Sequence, residues 1–595
     1  MEHELPSWIK ARAFLTALAR DTRANTMAMM AMALIPLAGM VGGGLDISRM
    51  YIVKTRLQHA CDAGALAGRK AMGGGTWTQT VGGVANYPRV MAEKFFEGNY
   101  DRNAYGATGI TRSFSESAGK VTGSASATVP MTLMRIFGKT RETLTVSCDA
   151  EMRLPNTDVM FVLDTTGSMN ETPSGDNKTK IAGLKLAVKC FYQIIARLDV
   201  ADADCEGDEP SGGTGNQVQI RFGFVPYATN VNVGRLLKTE WLANSWYYQS
   251  REVASISSNW GSWHDVGWMN CSSIPANTAT VEYRTTSTYY GSCYVQRRTK
   301  AVTWRYDRLS KDISGLKNGT GWNASFTQPI GDGGGDKTIA WDGCIEERET
   351  VKATGYDPIP SGAKDLDIDL VPSSDATRWG AALPGLLYTR RSTRNSGTGD
   401  WDRTAVTTES NYTNSSAYYC PTEAKKMQAW PDPGPFAAYV NSLTPSGNTY
   451  HDIGLLWGAR LMSPTGLFAS ENATTPQGAE IERHLIFMTD GDTNTSSSDY
   501  NAYGVPWFDR RQTDSTTQSS LDQQVDLRFA ALCTAVKNKQ ITLWVISFGT
   551  VSSDTVTRLQ DCASSGRYFS ASNSAQLQAT FKSIADQISQ LRLTR

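Results

Sequence analysis

Three short stretches of this chain carry oxygen-bearing side chains at spacings that suit a hard metal ion. The first is Asp164-Thr165-Thr166-Gly167-Ser168, the second Gly447-Asn448-Thr449 and the third Thr489-Asp490-Gly491. Asp164 and Asp490 offer carboxylates, and Thr166, Ser168 and Thr449 offer hydroxyls. Alternate residues of the first loop can aim their oxygens at one point, and Gly167 lets the loop bend tightly. Hard divalent cations take oxygen ligands, and magnesium completes its octahedron with waters. Magnesium is therefore the expected ion, with calcium and manganese as alternatives. Hydroxyls leave such an ion under-neutralised, so it attracts an acidic group from a partner. The same residue types also serve as helix caps and turn formers. Their joint occurrence, in order and at strand ends, favours the metal.

Those strand ends come from the pattern of the flanking segments. Residues 157–164 (TDVMFVLD) and 483–490 (RHLIFMTD) are short apolar runs ending in an acid, as buried parallel strands read. Residues 217–229 and the stretch QITLWVISFG read as further strands. Helical periodicity marks residues 178–198, HDIGLLWGARLM, RFAALCTAVKNK and the closing AQLQATFKSIADQISQLRL. Alternating strands and helices predict an α/β fold with a doubly wound, mostly parallel sheet over 156–595. Ligands of such sheets sit beyond the carboxyl ends of the strands, where both acids fall. Between about 235 and 430 the rhythm is lost, and a large disulfide-tied insertion of loops and short strands is expected.

From Ala24 to Leu45 there is no charged residue. A helix of about 20 such residues spans a bilayer, and Pro36 and the glycines at 42–44 are tolerated there. Apolar spacing continues through Ile47, Met50, Val53 and Leu57, so one helix is expected to reach residue 72. Its small-residue stretch LQHACDAGALAG suits a close partner interface. Residues 1–23 are expected on the cytoplasmic side, and 76–150 as a small α+β domain. Formal net charge is zero and charged residues make up 19% of 595, so no basic surplus argues for nucleic acid and none is expected as a partner. Ten cysteines without a CxxC pair suit disulfides in an oxidising compartment, so the carboxyl-terminal side faces the periplasm or the exterior. Proximity pairs Cys190 with Cys205, Cys271 with Cys293, Cys533 with Cys562 and, more loosely, Cys344 with Cys420.

The DTTGS, GNT and TDG stretches together resemble the metal-ion-dependent adhesion site of von Willebrand factor A domains. Thr166 stands where that pattern usually has Ser and keeps the hydroxyl. The resemblance implies Asp164, Thr166, Ser168, Thr449 and Asp490 as the ligand set. LQHACDAGALAG, WDGCIEER, GNTYHDIGLLWGARLMSP and FMTDGDTN are similar to TadG-like proteins of the tight-adherence (Flp) pilus. That resemblance implies a single-pass inner-membrane anchor, an outer A-type domain, and pilus or pilus-assembly proteins as partners, with oligomers compatible. Such anchors often carry Gly before the apolar stretch, where this chain has Ala24-Asn25.

Other chemistry is less well supported. GDGGGDKT at 331–338 lacks the Gly that a phosphate loop needs before Lys337. Asp202, Asp204 and Glu206 begin like a calcium loop, but Gly213 stands at its twelfth position. Asp365, Asp367 and Asp369 alternate as a charged strand face would. The five histidines are His3, His59, His264, His451 and His484, and no G-x-S-x-G nucleophile elbow stands in a strand–turn–helix frame to use one. His451, two residues past Thr449, falls near the expected metal. A binding and assembly protein rather than an enzyme is expected. The alternatives are a metal-dependent hydrolase using the same site and a pilus-like subunit polymerising through residues 24–72.

Overall fold

A computed structural model describes residues 22–72, 76–101, 104–117, 120–151, 156–197, 219–390, 403–476 and 478–588, with Arg12 and Thr16. The chain divides into two compact units, Met1–Leu154 and Pro155–Ile588, the latter interrupted at 198–203. Apart from Arg12 and Thr16, the expected cytoplasmic stretch up to residue 21 lies outside the described residues, as do Cys205 and the acidic loop with Asp202, Asp204 and Glu206.

In the first unit, helix α1 spans Thr22–Met72 without a break at Pro36. It is the one described helix long and apolar enough to cross a membrane. Met30, Leu34, Met40 and Leu45 in its first half are large, apolar and well exposed, which is costly in water and ordinary in lipid. Its second half behaves differently. Val53, Leu57, Ala60, Cys61 and Ala65 form one helical stripe and are all fully buried. They pack on α2 (Tyr87–Asn99) and on the antiparallel sheet of β1 (Thr108–Ser117), β2 (Lys120–Pro130) and β3 (Arg141–Glu151). The expected partner interface is thus covered by the chain's own sheet. Small residues serve that contact: a Cβ on Gly64 would meet Phe114 at 2.5 Å. A disulfide joins Cys61 to Cys148 on β3, a pairing that proximity along the chain did not offer.

In the second unit the chain runs β4 (Thr157–Asp164), α3 (Lys180–Arg197) and β5 (Ile220–Tyr227). The insertion follows, with β6 (Ser245–Trp260), β7 (His264–Asn270), β8 (Val281–Tyr289), β9 (Ser292–Asp312) and β10 (Val406–Thr408). Then come β11 (Lys425–Gln428), α4 (Pro433–Asn441), α5 (His451–Met462) and β12 (Glu482–Thr489). The chain closes with α6 (Gln518–Asn538), β13 (Thr542–Phe548), α7 (Ser553–Cys562), β14 (Tyr568–Ala571) and α8 (Ser574–Ile588). The unit is mixed α/β, and its main sheet has the order β11-β5-β4-β12-β13-β14. β4 pairs in parallel with both β5 and β12, and β13 continues the parallel run to β14. Only β11, at the edge, is antiparallel. Both faces of the sheet are covered. Phe161 stacks with Phe224 and meets Phe191 of α3 and Phe581 of α8 on one side. Val162 faces α5 on the other, close enough that a Cβ on Gly458 would meet it at 2.3 Å.

The insertion departs from the expected loops and short strands. β6 and β9 form a long antiparallel ribbon, β9 alone being 21 residues, and β7, β8 and β10 also pair with β9. Val302, Trp304 and Tyr306 alternate inward from it, and they share one hydrophobic core with Trp341, Trp379 and Trp457. Buried ion pairs tie the insertion to the helices: Glu347 with Arg460 at 2.7 Å, and Asp365 with Arg528. Asp365, Asp367 and Asp369 therefore do not line a strand. Asp365 is buried against Arg528 and Tyr503, Asp367 accepts the amides of Asp369 and Leu370, and Asp369 pairs with Lys539. GDGGGDKT runs into the second strand of a hairpin that pairs Ser325–Gln328 with Lys337–Ala340. Cys271–Cys293, Cys344–Cys420 and Cys533–Cys562 are joined as read from the sequence. Cys190 is disulfide-bonded.

Candidate metal centre

The parallel register of β4 with β5 and β12 brings three strand ends to one rim. β4 stops at Asp164 and β12 at Thr489, so the acids that follow the apolar runs meet there. Beyond β4 the loop turns at once. Asp164 Oδ1 accepts the amide of Thr166 at 2.9 Å, an Asx-type turn that folds the loop back over the strand. Thr166 and Ser168 then place their hydroxyl oxygens 3.0 Å apart, and Ser168 Oγ donates to Asp490 Oδ1 at 2.8 Å. Four of the five expected ligands are thus joined by hydrogen bonds, although Ser168 and Asp490 lie 322 residues apart.

The fifth, Thr449, reaches the same rim through its backbone. Gly447 O accepts the amide of Gly167 at 2.9 Å, and Thr165 O accepts that of Ser446 at 2.8 Å. Gly447 has φ of +86°, and a Cβ there would meet Tyr419 at 2.9 Å, so the turn before Thr449 requires glycine. Thr449 exchanges backbone hydrogen bonds with Asn494 at 2.9 and 3.2 Å, which holds it beside the loop that follows Asp490.

Thr489 of the third stretch and several residues outside all three support these ligands. Asp164 Oδ2 accepts from Thr489 Oγ1 at 2.9 Å and from Tyr227 OH at 3.3 Å. Lys180, near the start of α3, donates to Asp490 Oδ2 at 3.0 Å and to Glu171 at 3.3 Å. An apolar-patterned helix gives no reason to single out one lysine. Its role follows only from the packing of α3 beneath the loop. His451 stands one layer behind the ligands, with Nε2 2.8 Å from Thr489 Oγ1 and Nδ1 3.1 Å from Thr493 Oγ1.

The electrostatics follow from burial. Asp164 is fully buried, and burial together with the charge of Asp490 pushes its carboxyl up to about 7. The hydrogen bonds from Thr166 and Thr489 oppose that rise. Burial works against the Lys180 ammonium, but the charges of Asp490 and Glu171 prevail and raise it. Burial and Arg558 press His451 down to about 3, so it is a neutral ring. Two carboxylates, at 0 and 2% exposure, thus share one neighbourhood with a single ammonium in contact. A divalent cation among these oxygens would relieve that excess of negative charge. The donor set is all oxygen, the chemistry that magnesium, calcium and manganese take. The residues present fit such an ion. Asp342, Cys344 and Cys420 also cluster, but the two sulfurs are joined to each other and are not thiolate ligands.

Residues 25–73 match the Tad family, described as Flp pilus-assembly TadE/G-like. The match covers α1 and supports a Tad pilus-related chain with an amino-terminal anchor segment. No curated protein matches the chain. Among solved structures, the pilus adhesin SpaC from Lactobacillus rhamnosus GG is 10% identical with a TM-score of 0.27, covering 81% of this chain and 34% of that one. Proximal thread matrix protein 1 from the mussel byssus is 15% identical with a TM-score of 0.18, covering 29% of this chain and 35% of that one. The latter has also been solved with a zinc-occupied MIDAS motif, at 14% identity and a TM-score of 0.17. This chain spans about a third of the length of each of these proteins.

Proposed function

We propose that the second unit is a von Willebrand factor A-like domain that binds a divalent metal through Asp164, Thr166, Ser168, Thr449 and Asp490. The metal, magnesium in this reading, presents an open position to an acidic side chain of a partner. The chain acts as a TadG-like, membrane-anchored assembly or adhesion protein of a tight-adherence pilus and is not an enzyme. Residues 24–45 cross the inner membrane with the amino terminus in the cytoplasm, and the disulfide-bonded units lie on the oxidising side.

The observation that carries the reading is the Thr166–Ser168–Asp490 hydrogen-bonded chain beside buried Asp164, at the carboxyl ends of adjacent parallel strands. In this arrangement Asp164 and Asp490 supply the charge that holds the ion. Thr166, Ser168 and Thr449 orient it without neutralising it. The bound ion supplies the excess positive charge that attracts a carboxylate. Thr489 holds Asp164 in place, and the Lys180 ammonium is a cation that competes with the metal for Asp490.

The test is pilus-dependent attachment and capture of pilus components by the purified full chain, with magnesium or with chelator. Capture should require the metal and be lost in Asp164→Ala, with the anchor still in the membrane fraction. Capture that is equal with and without chelator would sink the reading.

A further inference from the structure

We infer that the turn Leu133–Phe137, between β2 and β3, is a second membrane-immersed element whose occupant is lipid acyl chain. The inference rests on reading residues 24–45 as the membrane span. It adds a part of the folded first unit that enters the bilayer beside that span.

The turn is tied to one point on α1. Asp46 is the first charged residue after the apolar stretch. Its Oδ1 accepts the amide of Thr132 at 2.9 Å, and its Oδ2 accepts those of Leu133 at 3.1 Å and Met134 at 2.9 Å. From there the chain runs back along the apolar half of α1. Met134 Sδ lies 3.9 Å from where a Cβ on Gly43 would be, and the Phe137 ring 2.8 Å from one on Gly39. Those glycines precede Asp46 by three and seven residues, so the turn descends roughly 5 to 10 Å past the last charge. Arg49 seals the level above it, donating to Pro130 O at 3.1 Å and Thr132 Oγ1 at 3.3 Å.

Ile136 is 69% exposed and Phe137 50% exposed, next to Met40 at 69% on the helix. In water such a wall would be costly, and in acyl chains it is matched. Seven amides in and around the turn are satisfied internally, as lipid demands of a backbone. Besides the three amides held by Asp46, that of Ile136 donates to Leu133 O, Gly138 to Arg135 O, Lys139 to Met134 O and Met131 to Thr140 O. Arg135, within the turn, and Lys139 and Arg141, just after it, carry long basic side chains that can reach headgroups.

The test uses the full chain, whose nine described cysteines are all disulfide-bonded, with the unsubstituted chain labelled in parallel as the background. Ile136→Cys, Phe137→Cys and Met40→Cys are labelled separately, reconstituted in phosphatidylcholine vesicles, and read by collision with oxygen and with a water-soluble nickel chelate. The Ile136 side chain points away from the fold, so that variant folds even if Phe137→Cys does not. The expected result is oxygen collision exceeding nickel collision at 136 and 137 to the extent seen at 40. Nickel-accessible labels at 136 and 137 with a lipid-exposed label at 40 overturn the inference and leave the anchor standing. Labels shielded from both reagents mean a protein neighbour covers the turn, which also overturns it. A nickel-accessible label at 40 overturns the span itself, and the inference with it.

Discussion

Asp164→Asn separates a metal ligand from a merely structural acid, because the two roles predict different changes. Asn keeps the shape of the side chain and still offers an oxygen to the Thr166 amide. It removes a fully buried negative charge from beside Asp490. Its amide NH2 also faces Thr489 Oγ1 and Tyr227 OH, which donate to the native carboxylate, so each protein is compared with itself, with and without metal. A ligand at a hundred times its dissociation constant stabilises the folded state by about 2.7 kcal/mol. The second unit has on the order of 430 residues, and about 2.1 cal/mol/K per residue makes its unfolding entropy roughly 0.9 kcal/mol/K. Saturating magnesium should thus raise the wild-type midpoint by about 3 °C over chelator, and the variant's by nothing measurable. Intrinsic fluorescence of the full chain in detergent reads this unit, since only Trp8 and Trp77 of its 16 tryptophans lie in the other. An equal magnesium shift in both proteins would place the ion elsewhere. No shift in the wild type at any concentration would remove the metal altogether.

Lys180→Met tests the ammonium on Asp490. It takes away a cation that competes for the same carboxylate, so calorimetry should show tighter magnesium binding, by roughly tenfold or ~1.4 kcal/mol. Weaker binding would mean that Lys180 only positions Asp490. His484, at the start of β12, is pressed down to about 4 by burial and Arg567. Its folded value lies below the unfolded one of about 6.5, so its contribution is present above pH 6.5 and is lost as pH falls toward 4. The loss is about 3 kcal/mol. His484→Gln should flatten that part of the midpoint-against-pH curve by roughly 3 °C, and an unchanged acid limb would refute the assignment.

Local pattern carried much of the second unit. The apolar runs ending at Asp164 and Thr489 are strands in register, and the helical stripes are helices, because burial on both faces of a sheet leaves a readable run. The ribbon of β6 and β9 was not legible. Many of its side chains are half-buried, so inward Val302, Trp304 and Tyr306 are diluted by Thr303 and Arg305 between them and by the arginines and lysines on either side. The alternating acids at 365–369 misled for a related reason. Asp365 looks like a surface residue until Arg528, 163 positions later, is seen to bury it.

The sequence alone determined that an anchor-length apolar segment precedes the strand-helix alternation, and that five oxygen-bearing residues stand at strand ends or before a helix. Hydrophobic period and turn chemistry are local, so they survive in one dimension. The folded chain decided what is not local. It set Ser168 against Asp490, gave Asp490 the ammonium of Lys180, joined Cys61 to Cys148, and laid Phe137 along Gly39. Each of these depends on which surfaces meet when apolar area leaves water, and such a meeting has no signature in the spacing of residues dozens to hundreds of positions apart.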